Sequence, residues 1–162
     1  MTRQRYVIIK LLEQLKDGDE FSPDSYPLHI TIVPSFQLDS MDDTLLKKIK
    51  QLCANFNEFT LTAGEDEFFG PNNEVRVTTM IMNDELRKLH TSLVDVLSDA
   101  NAIFDEPDYM LEKYRAHATL QESNRLQYGD VATIGSITVI DKLPNGNPGK
   151  RKLLKTLHFS KQ

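Results

Sequence analysis

Only two stretches of this chain repeat their apolar residues at helical spacing, and almost every other apolar run is short and rich in β-branched residues. In "DDTLLKKIKQLCANF", Leu45, Ile49, Leu52 and Phe56 recur three or four positions apart behind two acidic residues, which predicts a helix over about 42–56. "NDELRKLHTSLVDVLSDA" does the same with Leu86, Leu89, Leu93, Val96 and Leu97, capped by Asn83 or Asp84. The other runs read as strands: residues 5–12, 28–33, 58–64, 73–82 and 115–121. "ATIGSITVID", the turn-rich "KLPNGNPGK" and "RKLLKTLHFS" then read together as a carboxy-terminal hairpin. The strand at 28–33 is expected to stop against Pro34. "KDGDEFSPDSYP" and "NAIFDEPDYMLEK" are expected to be loops, and "EDEFFGPNN" a polar connection with an exposed phenylalanine pair. Strands and helices mixed without regular βαβ alternation predict an α+β sheet protein. Its length of 162 residues suits one domain, 1–162, built from two interleaved lobes.

Composition narrows the function classes. The net charge of −5 argues against a protein that coats duplex DNA, because such binding draws on many lysines and arginines. Cys53 is the only cysteine, so neither a disulfide framework nor a cysteine metal set is expected, and a reducing cytoplasm is the natural setting. Lys10 interrupts the first apolar run, and neither a secretory signal nor a membrane span is read. The acidic "GEDEFFG" carries no metal-ligand pattern, and no cofactor is implied.

Two of the predicted strands carry polar residues where a plain core strand would not. In "YPLHITIV", alternation puts His29 and Thr31 on one face and Leu28, Ile30 and Ile32 on the other. In "YRAHATLQ" it puts Arg115, His117, Thr119 and Gln121 on one face, backed by Ala116, Ala118 and Leu120. All four histidines have Ser or Thr two positions later, so that spacing alone discriminates nothing. His90 falls within the second helix, where residues two apart diverge, and His158 lacks the apolar flank. Histidine titrates near about 6.5, so two facing each other can serve as base and acid near neutral pH. Threonine hydroxyls beside them can donate to phosphate oxygens. Those groups suffice for in-line phosphodiester chemistry without a metal.

The paired motifs "HITI" (29–32) and "HATL" (117–120) resemble those of the two-histidine (2H) phosphoesterase superfamily, of the 2′-5′ RNA ligase-like or RNA 2′,3′-cyclic phosphodiesterase type. The resemblance implies a bilobal, pseudo-twofold α+β fold with mixed or antiparallel sheets, one helix per lobe, and a central groove with a histidine strand from each lobe. It also implies a metal-independent phosphodiesterase hydrolysing a nucleotide or oligonucleotide phosphodiester, with a 2′,3′-cyclic phosphate RNA end as the expected substrate. By analogy His29 would protonate the leaving ribose oxygen, His117 would activate water, and Thr31 and Thr119 would hold the phosphate. The alternatives are action on 2′-5′ or cyclic oligonucleotide signals, or a binding module for nucleotides or RNA ends without catalysis. "HATLQES" lacks the arginine that many relatives carry after the second motif, having Gln121 and Glu122 instead.

Further substrate contacts are read from position. Arg115 shares the face of His117 and Arg76 alternates with Val75 and Val77; either guanidinium suits a phosphate. Phe36, Tyr114 and Tyr128 lie near the motifs and suit base stacking, with core packing as the commoner use of such rings. Lys150, Arg151, Lys152 and Lys155 form either a phosphate-friendly rim or a solvated hairpin tip. No membrane contact is implied, and a monomer is expected.

Overall fold

The computed structural model describes residues 3–121 and 124–160. The strands are β1 (Gln4–Leu11), β2 (Glu20–Phe21), β3 (His29–Leu38), β4 (Phe59–Phe69), β5 (Val75–Met80), β6 (Ile103–Phe104), β7 (His117–Thr119), β8 (Val131–Ile134), β9 (Ser136–Asp141) and β10 (Arg151–His158). The helices are α1 (Asp43–Ala54) and α2 (Asp84–Asp99). One sheet has the order β2-β10-β9-β1-β3-β6 and the other β7-β5-β4-β8, with every pairing antiparallel. This is the α+β fold expected from the periodicities. Among the described residues no helix is long and apolar enough to cross a membrane.

Both helices start where their polar residues satisfy orphan N–H groups. The Asp42 carboxylate accepts from the Leu45 N–H at 2.8 Å and the Asn83 side chain accepts from the Leu86 N–H at 2.9 Å. Their apolar stripes, Leu45, Ile49 and Cys53 on α1 and Leu86, Leu89, Leu93 and Leu97 on α2, join one core with Tyr6, Ile8, Ile30, Ile32 and Phe36. The opposite face of β1 feeds a smaller cluster, Val7 and Ile9 with Ile140 and Leu153, against which Phe21 and Tyr26 pack. The large sheet is therefore covered by helices on one face and only partly covered on the other.

The strand boundaries depart from the expected ones in four places. β3 does not stop at Pro34: Ile8 pairs with Val33 and Tyr6 with Phe36, so Val7 faces both Pro34 and Ser35. Proline fits there because a bulge leaves a residue with no ladder N–H to donate. β4 continues through "EDEFF" to Phe69, paired with β5 from Asp66 to Phe69 after a register shift beyond Ala63, so only Gly70–Glu74 forms the connection. Phe68 is the exposed ring of the pair and Phe69 is half-buried. "ATIGSITVID" breaks at Gly135: β8 pairs with β4 in the small sheet, and only β9 forms the hairpin with β10. The second motif strand is shorter than 115–121, with ladder pairing at His117, Ala118 and Thr119 alone. The segments expected as loops contribute the short edge strands β2 and β6 and one-turn 3₁₀ segments.

Leu93 is fully buried between α2 and the large sheet. Leu93→Ala should destabilise the protein by about 2–5 kcal/mol, read as a lower urea midpoint at unchanged m-value.

Candidate active site

The period of two on β3 decides where the first motif points. Leu28, Ile30 and Ile32 are in the core, so His29 and Thr31 face the thinly covered side of the large sheet. On β7 Ala116 and Ala118 are buried, and His117 and Thr119 pair with Thr79 and Val77 of β5, which places all four on one face. β3 and β7 pack against each other across the junction of the two sheets.

Each histidine is held in the same way. The Nδ1 of His29 lies 2.8 Å from the Pro27 carbonyl, and that of His117 lies 2.9 Å from the Arg115 carbonyl, in both cases two residues back along the chain. A carbonyl only accepts, so Nδ1 carries the hydrogen and the neutral ring presents Nε2 as a bare base. Each ring also rests on an aromatic neighbour, His29 on Tyr26 at 4.4 Å and His117 edge-on to Phe69 at 4.6 Å. Burial lowers the pKa of both imidazoles from the ordinary value, and His29 is lowered further by the charge of His117. Beside His117, Arg115 opposes the proton and Glu106 favours it.

The two motifs open onto two adjoining cavities. One, of about 420 Å³, is lined by His29, Thr31, Thr119, Gln121, Lys142 and Arg151 among others. The second, of about 590 Å³, contains His117, Arg115, Phe68, Phe69, Val77 and Tyr109. Thr31, Pro34 and Glu106 belong to both walls, so the cavities are halves of one groove that meet at the first motif. The His29 half is polar and cationic, and the His117 half is largely aromatic and apolar.

The other residues singled out from sequence divide. Arg115 lines the His117 half, but its guanidinium is paired with the Glu67 carboxylate and lies 5.2 Å over the Phe69 ring. Arg76 does not face the groove: strand alternation turns it away from Val75 and Val77, and it pairs with Asp66 at 3.1 Å. Phe36 is fully buried between Tyr6 and Phe104 and presents no face to a base. Tyr128 is 75% exposed and lines neither half of the groove. Gln121 reaches the groove wall, while Glu122 lies outside the described residues.

Tyr114 borders the His117 half of the groove, but it is buried and both its ring and its hydroxyl are engaged within the protein. Its hydroxyl donates to the Thr31 carbonyl at 2.7 Å, and its ring lies flat on His90 at 4.0 Å and 3°. His90 in turn bonds through Nδ1 to the Ile32 carbonyl at 2.7 Å and accepts at Nε2 from the Leu111 N–H at 2.9 Å. The segment leading to the second motif is thus fastened to the backbone of the first. Sequence reading missed Tyr26, Phe69, Glu106 and Lys142. Tyr26 and Tyr114 each stand three residues before a motif histidine, a repetition visible in the sequence, but only Tyr26 touches its histidine.

A model of the 2′-5′ RNA ligase superfamily matches residues 8–133. No curated protein matches the chain. Among solved structures, E. coli LigT complexed with 3′-AMP is 16% identical, with 98% of this chain and 99% of that chain covered and a TM-score of 0.57. E. coli LigT complexed with NADP+ is 14% identical, with 99% of each chain covered and a TM-score of 0.57. TT0787 of Thermus thermophilus is 13% identical over 98% of this chain and 99% of that one, with a TM-score of 0.61. At these identities the likeness is one of fold.

Tyr114→Phe keeps the ring on His90 and deletes one hydrogen bond to Thr31. It should lower unfolding stability by about 0.5–1.5 kcal/mol in urea denaturation, whereas an unchanged midpoint would show that the hydroxyl does not fasten the motifs.

Proposed function

The chain belongs to the 2′-5′ RNA ligase superfamily, the two-histidine phosphoesterases, and from that premise we propose that it is a phosphodiesterase acting on a nucleotide or oligonucleotide, with a 2′,3′-cyclic phosphate end as its substrate. The observation that carries this reading is the mirrored setting of His29 and His117. Both spend Nδ1 on a carbonyl two residues back, and both line one groove. The nucleotide-bound structures of E. coli LigT support a nucleotide as the ligand class.

In this reading the nucleoside lies in the aromatic His117 half, against Phe68, Phe69 and Tyr109, with the phosphate at Thr31 where the halves meet. Water attacks phosphorus and gives a proton to Nε2 of His117. The bond from phosphorus to one ribose oxygen breaks, and that oxygen takes a proton from Nε2 of protonated His29. The Thr31 and Thr119 hydroxyls donate to the non-bridging oxygens, where charge accumulates. One proton enters and one leaves, so a proton exchange between the histidines restores the starting state. The chemistry needs only side chains of this protein, so turnover is expected in EDTA.

One kinetic series tests the reading. His29→Ala and His117→Ala should each lower kcat/KM on a nucleoside 2′,3′-cyclic phosphate by about 10²- to 10⁴-fold. The base works above its own pKa and the acid below its own. With both lowered by burial from about 6.5, the wild-type kcat/KM profile should be a bell with its maximum on the acid side of that value. Full activity in either variant would remove that histidine from the mechanism, and a profile still rising above pH 7 would contradict the acid–base pair.

A further inference from the structure

The His29 half of the groove holds two cations that the steps above do not use. Lys142 follows β9 and Arg151 opens β10, so the β9–β10 hairpin brings both to the same wall. The Lys142 ammonium donates to Ser35 Oγ at 3.0 Å, and Ser35 donates to Asp105 at 2.8 Å. Asp105 is itself occupied by Arg5 at 3.0 Å and Gln37 at 2.6 Å. Arg151 spends Nη1 on the carbonyls of Lys142, Pro148 and Lys150, while its Nε is buried with no hydrogen-bond partner. Among the described residues neither Lys142 nor Arg151 forms an ion pair, in contrast to Arg115 in the other half, which Glu67 neutralises.

A buried guanidinium N–H without an acceptor is rare in folded proteins, because its lost hydration goes uncompensated. Burial and the neighbouring Arg151 both disfavour the charge on Lys142, and the carboxylates that oppose them are Asp105 and Glu106. Glu106 stands at the junction of the two halves. An anion between Lys142 and Arg151 would pair with both cations at once through the atoms they present to the groove.

The position also separates these cations from the reacting phosphate. Ser35, which holds the Lys142 ammonium, stands opposite Val7 of β1 while Thr31 pairs with Ile9, so the two points are two β1 residues, about 7 Å, apart. That is more than one hydrogen bond spans, and it is of the order of the spacing between neighbouring phosphates of a nucleotide chain. Tyr26 lines the same half of the groove, in contact with the His29 ring and beside Arg151. Its phenol, pushed up to about 12 mainly by burial, stays protonated.

We propose that Lys142 and Arg151 form a second anion subsite that takes a further phosphate of the substrate, so the groove prefers an oligonucleotide end, or a nucleotide with a second phosphate, over a mononucleoside phosphate. This inference rests on reading the groove as a phosphodiesterase site. It is tested by equilibrium binding, which requires no turnover. The dissociation constants of adenosine 3′-phosphate, adenosine 3′,5′-bisphosphate and a diadenosine dinucleotide with a 3′-phosphate are measured by calorimetry at fixed salt. At least one of the doubly phosphorylated ligands should bind ten-fold or more tighter than the monophosphate. Lys142→Gln should cut that ratio to three-fold or less, with folding checked by circular dichroism; Lys142 is chosen because Arg151 also holds hairpin carbonyls. A wild-type ratio below ten-fold overturns the subsite without recourse to any variant, and a ratio that survives Lys142→Gln overturns the part given to Lys142. Preference for two phosphates without turnover of any phosphodiester would keep the subsite and sink the phosphodiesterase reading. Turnover without the preference would do the reverse.

Discussion

The burial of Ile30 and Ile32 on β3 is the constraint from which the site follows. Both are fully inside the core, and a slip of one residue in the pairing of β3 with β1 would exchange them with His29 and Thr31. Placing an imidazole and a hydroxyl in that core, and two isoleucines in the groove, costs several kcal/mol by side-chain transfer alone. The hydrophobic core therefore sets the direction of the first motif. Two bulges follow: one at Ile32 turns Val33 into the core, and the other leaves Pro34 and Ser35 on the groove wall, where Ser35 holds Lys142.

The second motif has a shorter ladder and a different anchor. β7 contributes three paired residues, so its position relies on what precedes it: Tyr114 bonded to the Thr31 carbonyl and stacked on His90, which bonds to the Ile32 carbonyl. These contacts end on the backbone of β3 within the first motif itself. A change in the seat of α2 would therefore be felt at both motifs. The same buried network excludes His90 from the chemistry, because both of its nitrogens are already used.

Much of this was legible from sequence where a periodic pattern reported on burial. The two helices, the α+β class and the faces of both motif strands follow from spacings of three to four and of two, which the core enforces. The failures have a common cause: they depend on partners distant in sequence. Pro34 looks like a strand end until Val7 is seen opposite the bulge, and "EDEFF" looks like a loop until β5 pairs with it. Arg76 and Arg115 look alike as phosphate ligands, but carboxylates at Asp66 and Glu67 claim them. Lys142 and Arg151 become a pair only when the β9–β10 hairpin closes, and no local signal marks Lys142 at all. Phe36 and Tyr114 show that an aromatic beside a motif is as readily a core residue as a platform.

The central claim is that His29 and His117 act on one phosphate. NMR of the four imidazole rings during titration with inorganic phosphate tests it without assuming a substrate. Signals of His29 and His117 should share one isotherm with a common dissociation constant, while His158 and the buried His90 stay in place. Movement of only one motif histidine, or the absence of any isotherm common to both, would contradict a shared site.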